Sequence, residues 1–337
     1  MIIIRHEDVE TILTGREAEL VDLVDHAYRL HDEGRTAVPH SAFLRFPESR
    51  RERIIALPAF VGDDEQVAGV KWVSSFPGNI GKGLPRAHAA IVLNSTETGR
   101  PEALIEGSLI SAKRTAASAA LAARVLLGGE FPRHLSLVGC GVINEEVLRF
   151  LTALRPHWPE VTLYDLDRER AAAFARRCAE IVPGTRVTVA ADAAGALSAG
   201  TLISIATTVS EPHLDTAACR PGSLILHLSL RDLTPEAILA AQNVVDDPDH
   251  VCRELTSLHL AEQLSGDRRF VGASIGALLR AGGAYRRDPA KVTVFSPFGL
   301  GALDMVLARF VRAAARKEGR GLEIADFLPQ STDQERR

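Results

Sequence analysis

The sequence predicts an α/β fold in two domains, and three observations carry that prediction. From about residue 135 to residue 295, short apolar or β-branched runs alternate with segments of helix length. That is the pattern of a parallel sheet with helices on its faces. The first of those runs ends in Gly139-Cys140-Gly141 and passes directly into a helix with an apolar stripe. Ahead of residue 115 the texture differs, because strand-like runs follow one another with loops between them, as paired strands do. A chain of 337 residues has room for both domains.

In chain order, the first third reads as a short strand, a helix and then a sheet. Leu20, Val24, Ala27, Tyr28 and His31 recur at helical spacing, and Gly34 is placed to close that helix. His31, at the end of the apolar face, reads as a packing or capping residue. Residues 53–60 and 67–74 predict strands, and residues 89–94 and 103–105 flank a turn at Glu97-Thr98-Gly99-Arg100. Glycine and proline bracket the polar loop 76–86. Residues 111–127 form a helix rich in small side chains, ended by Gly128-Gly129 and Pro132. The runs 135–138, 161–164, 187–190, 202–206, 224–230 and 244–245 are the strands of the parallel sheet. Residues 292–295 lead through a Pro/Gly loop into a last helix over 303–315, expected to return to the N-terminal domain. The charged tail from Gln330 is expected to fray.

Hydrophobic residues make up 46% and charged residues 24%, an ordinary globular balance. The net charge of −4 argues against nucleic-acid binding, which needs a concentrated positive surface. The basic cluster Arg50, Arg51 and Arg53 is interspersed with acids and reads as solvated surface. Cys140, Cys178, Cys219 and Cys252 are scattered, with no metal-ligand spacing, which fits a reducing cytoplasm and no metal site. The apolar start is too short for a signal-peptide core, and no run reaches the length of a membrane span. A soluble, cytoplasmic protein is expected.

The sharpest local signal is the run 135–144. Gly139 permits the tight turn, and Gly141 lets the backbone approach a pyrophosphate. Cys140 is a small residue tolerated beside it, and Val142, Ile143 and Asn144 open a helix whose N–H groups and dipole face an anion. Asn144 stands where the fingerprint prefers Gly or Ala. The next strand ends in Asp165, an acid placed to accept hydrogen bonds from the adenosine ribose hydroxyls and to repel a 2′-phosphate. The expected cofactor is therefore NAD rather than NADP, although Arg168 lies nearby. Ala206, Thr207 and Thr208 close the fourth strand, where α/β sheets open their ligand crevice, and are expected to line the nicotinamide half.

Four segments resemble the ornithine cyclodeaminase/μ-crystallin family over nearly the whole chain. They are Lys71-Trp72-Val73-Ser74-Ser75-Phe76-Pro77-Gly78-Asn79 with Gly83-Leu84-Pro85-Arg86, then Ser111-Ala112-Lys113-Arg114-Thr115, Gly139-x-Gly141, and Phe295-Ser296-Pro297-Phe298-Gly299-Leu300-Gly301. The Ser74–Asn79 wording and the stretches 229–232 and 244–247 resemble the siderophore and antibiotic branch, the 2,3-diaminopropionate biosynthesis dehydrogenases. The resemblance implies NAD-dependent conversion of N-(1-amino-1-carboxy-2-ethyl)-glutamate to 2,3-diaminopropionate, 2-oxoglutarate and NADH. It also implies a homodimer built on the N-terminal sheet, whose strands 67–74 and 89–94 would pair or pack across an axis. A substrate-binding and dimerisation domain is expected over residues 1–115 and 301–337, and a Rossmann NAD-binding domain over 116–300.

Residue by residue, Lys71 matches the family lysine, as base or carboxylate partner. Arg114 matches the family arginine, whose planar fork suits a carboxylate. Arg45 and Arg86 are further candidates for a substrate with several carboxylates. Asp232 is the candidate acid that positions water or the amine, although Arg231 competes for that place because Pro235 falls one residue late. His40, His88 and His227 read as structural histidines, and Asp246 and Asp247 as caps. Ornithine cyclodeamination, ketimine reduction, alanine oxidation and non-catalytic ligand binding are the alternatives on the same fold.

Overall fold

The computed structural model describes residues 1–282 and 285–329. The tail from Gln330 and the side chains of Arg50 and Arg51 lie outside the described set. The chain divides into two units. One comprises Met1–Gly15, Thr36–Ser111 and the segment from Asp304 onward; the other comprises Arg16–Arg35 and Ala112–Leu303.

The first unit holds an eight-stranded mixed sheet. Its strand order is Leu322–Glu323, Ile2–Ile4, Pro101–Glu106, Ala87–Asn94, Val67–Ser75, Ser49–Val61 and Thr36–Ala37, with Ala42–Phe46 also paired to Ser49–Val61. Alternation along Val67–Ser75 puts Val67, Lys71 and Ser75 on a buried face and Trp72 on the other, where it is 45% exposed. Leu44, 47% exposed, shares the Trp72 face through its register with Ile54 and Ser74. The helix Gly301–Glu318 covers the buried face, for a Cβ on Gly69 would stand 3.0 Å from Met305 Sδ. Both Val67–Ser75 and Ala87–Asn94 are interior strands with two partners each, so neither offers a hydrogen-bonding edge to a second copy. Pairing across an axis through them is excluded; only their outer face remains available.

The second unit holds an eight-stranded, wholly parallel sheet of Rossmann type. Its order is Arg186–Val189, Glu160–Tyr164, His134–Val138, Leu202–Ile205, Leu224–His227, Thr293–Ser296, Gln242–Val245 and Val271–Ser274. Ile203, Ile205, Ile225, Val245 and Val294 are fully buried in its core. Each contributes about 1.5–3 kcal/mol by leaving water. The chain progresses outward in one direction from His134–Val138 and in the other from Leu202–Ile205, with Thr293–Ser296 inserted on the latter side, and the crevice for a ligand opens where the direction reverses.

Two expectations need correction here. The run 224–230 ends as a strand at His227, because Leu230 takes a left-handed φ of 67° and turns the chain. Residues 16–35, assigned above to the N-terminal domain, cluster with the second unit. Their helix, Glu17–Asp32, packs against the helices Val142–Leu154 and Ile275–Arg280. His31 at its end donates to the Asp247 carboxylate at 3.0 Å, a packed polar role.

Candidate functional site

In the second unit, Gly139 has φ 91°, and a Cβ there would collide with the Ala206 carbonyl oxygen and stand 2.9 Å from its carbon. The turn can only be glycine. Gly141 is the N-cap of the Val142–Leu154 helix, and a Cβ on it would meet no protein atom within 4 Å. Open space thus stands before a helix N-terminus with unspent N–H groups. Val142 is 65% exposed and Leu166, just after Asp165, is 83% exposed, two apolar surfaces beside that space. Ile143 is half-buried.

Asp165 Oδ2 accepts the Cys140 N–H at 2.8 Å, and Oδ1 accepts the Asp167 N–H at 3.0 Å. Its cation partner is Arg170 at 3.5 Å, whereas the Arg168 flagged from sequence is exposed. A carboxylate has further lone pairs for ribose hydroxyls. Cys140 is buried, and burial followed by the charge of Asp165 pushes its thiol up to about 12, so it stays a protonated packing residue. Asn144 turns inward: its amide donates to the carbonyls of Val138 (2.9 Å) and Gly139 (2.7 Å), and it accepts from Ser204 Oγ at 2.7 Å. Its side chain braces the loop from beneath. The loop and the acid therefore fit a dinucleotide.

Asp232 is fully buried. It accepts hydrogen bonds from the hydroxyls of Thr207 and Ser229, and His227 Nε2 stands 3.3 Å away. Ser229 Oγ also accepts the Thr207 N–H at 3.0 Å, while Thr208 is exposed. The Asp232 N–H donates to the same His227 Nε2 at 3.2 Å, and Nδ1 lies 3.2 Å from Ser296 Oγ. Burial works to raise the Asp232 carboxyl, but His227, Ser229 and Thr207 outweigh it and hold it below the ordinary value. Asp232 thereby fixes the strand ends that carry Thr207 and Ser229. Arg231 donates to the Glu254 carbonyl at 2.7 Å.

A depressed carboxyl pKa adds stability that is fully present above the unfolded value near 4 and is lost as pH falls through the folded value. Asp232→Asn is expected to cost about 1–3 kcal/mol at neutral pH by replacing one of the two acceptor oxygens with an amide that faces a hydroxyl donor. It should also flatten the acid limb of stability, and urea unfolding of both proteins across pH 3–7 reads both effects.

Arg114 and Gly299 meet in the same unit. Gly299 has φ 94°, and a Cβ there would lie 3.0 Å from the Arg114 guanidinium carbon. Asp246 fastens the Gly299 turn by accepting the N–H groups of Phe298 (2.9 Å) and Gly299 (2.7 Å). The cap role expected of Asp246 is thus directed at the loop that seats Arg114.

In the first unit, Lys71 is 1% exposed, and its Nζ donates to Asp304 Oδ2 at 2.7 Å and to Ser111 Oγ at 3.2 Å. Asp304 is fully buried in the first turn of the Gly301–Glu318 helix, where the dipole favours an anion. The group hydrogen-bonded to Lys71 is thus a buried carboxylate. Arg86 donates to Ser75 Oγ at 2.8 Å. Burial, then Arg53, lowers its pKa from the usual arginine value. Arg45 is exposed and stacks over the Phe43 ring at 5.2 Å. Asp304 and Arg170 escaped the sequence reading, and Arg53 was read as solvated surface. The i+3 offset of Asp304 from Gly301 in a helix start was the available signal for the first.

Among the described residues, no group of three His, Cys, Asp or Glu could hold a metal, and no helix is long and apolar enough to cross a membrane. A family model described as the ornithine cyclodeaminase/mu-crystallin family matches residues 2–319. Over 330 residues, 96% of this chain and 98% of the relative, the sequence is 28% identical to the N-((2S)-2-amino-2-carboxyethyl)-L-glutamate dehydrogenase of Staphylococcus aureus. It is 27% identical over 339 residues to the alanine dehydrogenase of Archaeoglobus fulgidus, covering 97% of this chain and 98% of that one. The Delta(1)-pyrroline-2-carboxylate reductase of Thermococcus litoralis, solved in complex with NADH and L-proline, superimposes with a TM-score of 0.88 at 25% identity. That match covers 96% of this chain and 100% of the solved one.

Proposed function

The chain belongs to the ornithine cyclodeaminase/mu-crystallin family, and on that premise we propose that it is an NAD-dependent oxidoreductase of an N-substituted amino acid with several carboxylates. The substrate proposed is N-(2-amino-2-carboxyethyl)-glutamate, equivalently N-(1-amino-1-carboxy-2-ethyl)-glutamate. With NAD⁺ and water it gives 2,3-diaminopropionate, 2-oxoglutarate, NADH and a proton. The observation that carries the choice is that Lys71 shares one sheet face with Ser75, which anchors Arg86. A substrate bearing three carboxylates uses such cations; alanine, with one, does not.

Gly139, Gly141 and the N–H groups of Val142, Ile143 and Asn144 would hold the pyrophosphate, and Asp165 the ribose. NAD, when bound, supplies the two-electron acceptor for the Cα–H bond of the glutamate arm. That bond breaks only after the substrate nitrogen is neutral. Lys71 accepts the nitrogen's proton, its own having passed along the 2.7 Å hydrogen bond to Asp304. A buried ion pair neutralises by such an internal transfer more readily than a solvated one, because low dielectric penalises both charges. Arg114, seated by Gly299, holds a carboxylate. Asp232 acts through Thr207 and Ser229 as a positioning residue.

We place a homodimer contact on the outer face of the first unit's sheet, where Trp72 and Leu44 are exposed. Light scattering of the purified chain at twice its monomer mass is the expected reading, and a monomer at working concentration removes that contact.

The test is a substrate panel at fixed NAD⁺, with products identified by mass spectrometry. N-(2-amino-2-carboxyethyl)-glutamate should exceed alanine in kcat/KM by at least about a hundredfold, since each lost charge-assisted carboxylate contact costs about 1.5–3 kcal/mol. Proline and ammonia from ornithine without net NADH would instead make the chain a cyclodeaminase. Ligand affinity without turnover would make it a binder.

A further inference from the structure

We propose that Arg53, Arg86 and Ser75 form the subsite for the distal carboxylate of the glutamate arm, with Arg53 setting the preference for dicarboxylic over monocarboxylic ligands. This rests on the substrate reading above and adds to it the place and the residue that select the second carboxylate.

Strand register brings these groups together. Arg45 pairs with Arg53, Arg53 with Ser75, and Ser75 with Ala87, so the positions form one row across the sheet of the first unit. Directly opposed residues on antiparallel strands project to one face. Ser75 lies four positions from Lys71 along its strand, on the same face and about 14 Å away. The glutamate skeleton, with an arginine side chain reaching from one end and a lysine from the other, fits that span.

Arg86 enters the row from the loop before Ala87. Its carbonyl accepts the Phe76 N–H at 2.8 Å, which fixes the backbone, and its guanidinium donates to Ser75 Oγ at 2.8 Å. Phe76 is itself held edge-on by Phe46, with centroids 5.6 Å apart. Arg53 and Arg86 are both half-buried, and Ser75 is 7% exposed. Among the described residues no carboxylate pairs with Arg86; its hydrogen bond goes to a neutral hydroxyl. Two guanidinium groups brought together out of water repel one another and lose hydration. An incoming carboxylate offsets both costs at once, and the planar forks suit it bidentately.

The experiment titrates the full-length chain with glutarate and with butyrate, followed by ligand-observed NMR. The wild type should bind glutarate at least tenfold more tightly than butyrate. Arg53→Gln should reduce glutarate to the butyrate level, and Arg53→Lys should keep part of the preference. Ser75→Ala, which keeps every charge and removes only the Arg86 anchor, should lower the preference severalfold and serves if Arg53→Gln fails to fold. A wild type without preference, or variants that retain it in full, would overturn the subsite. The two readings separate cleanly. Glutarate preference lost in Arg53→Gln, with no turnover of N-(2-amino-2-carboxyethyl)-glutamate by wild type, leaves the subsite standing and removes the substrate. Turnover with an unchanged preference does the reverse.

Discussion

Lys71→Ala is expected to lower kcat by at least about a thousandfold while NADH still binds, because positioned acid–base groups contribute about 10²–10⁴ and Lys71 also orders its surroundings. The variant leaves Asp304 buried without its 2.7 Å partner, a change that costs about 3–5 kcal/mol of stability. Activity must therefore be read at a temperature where thermal unfolding shows the variant folded. NADH fluorescence enhancement then reports whether the cofactor site survives. Asp304→Asn separates chemistry from packing: it keeps the hydrogen bond acceptor and shape but removes the proton sink, so kcat should fall with KM little changed. Wild-type turnover in Lys71→Ala would remove Lys71 from the mechanism.

Gly139→Ala is expected to weaken NADH binding at least tenfold and to destabilise the second unit by about 1–3 kcal/mol. A non-glycine residue at φ 91° carries that order of backbone strain. The added Cβ also meets the Ala206 carbonyl, a backbone group whose own N–H is fixed to the Val138 carbonyl at 2.9 Å and has nowhere to go. Gly141→Ala provides the contrast. Its φ of −106° suits any residue and its Cβ would meet no protein atom within 4 Å. Stability should hold there while NADH binding falls, because the methyl group projects toward the cofactor's space. Equal NADH affinity in all three proteins would dismiss the loop as the dinucleotide seat. Calorimetric titration with parallel melting curves measures both quantities.

Why these features differ in legibility follows from how far apart in sequence their causes lie. The loop at Gly139 and the acid at Asp165 are within one strand–helix–strand passage, so spacing alone exposed them. Lys71 stood out by type and motif, but its partner Asp304 lies 233 positions away and only the folded chain joins them. For Asp232 the sequence reports a carboxylate and not its burial; the hydroxyls of Thr207 and Ser229 and the His227 ring surround it in the fold. Arg53 sat in a charged run that looked solvated. Its pairing with Ser75 depends on the register of two long strands, which a composition window does not see. The helix Glu17–Asp32 showed its apolar stripe plainly, but periodicity says which face is covered and not by what. Val271–Ser274 went unseen because a Val-Gly-Ala-Ser stretch has little apolar signal.

The most direct measurement uses N-(2-amino-2-carboxyethyl)-glutamate carrying deuterium at the Cα of its glutamate arm, incubated with NAD⁺ and the purified chain. The account predicts that the reduced cofactor carries the deuterium and that one 2-oxoglutarate and one 2,3-diaminopropionate accompany each NADH formed. Deuterium retained in an amino-acid product, or reduced cofactor formed without 2-oxoglutarate, would contradict it.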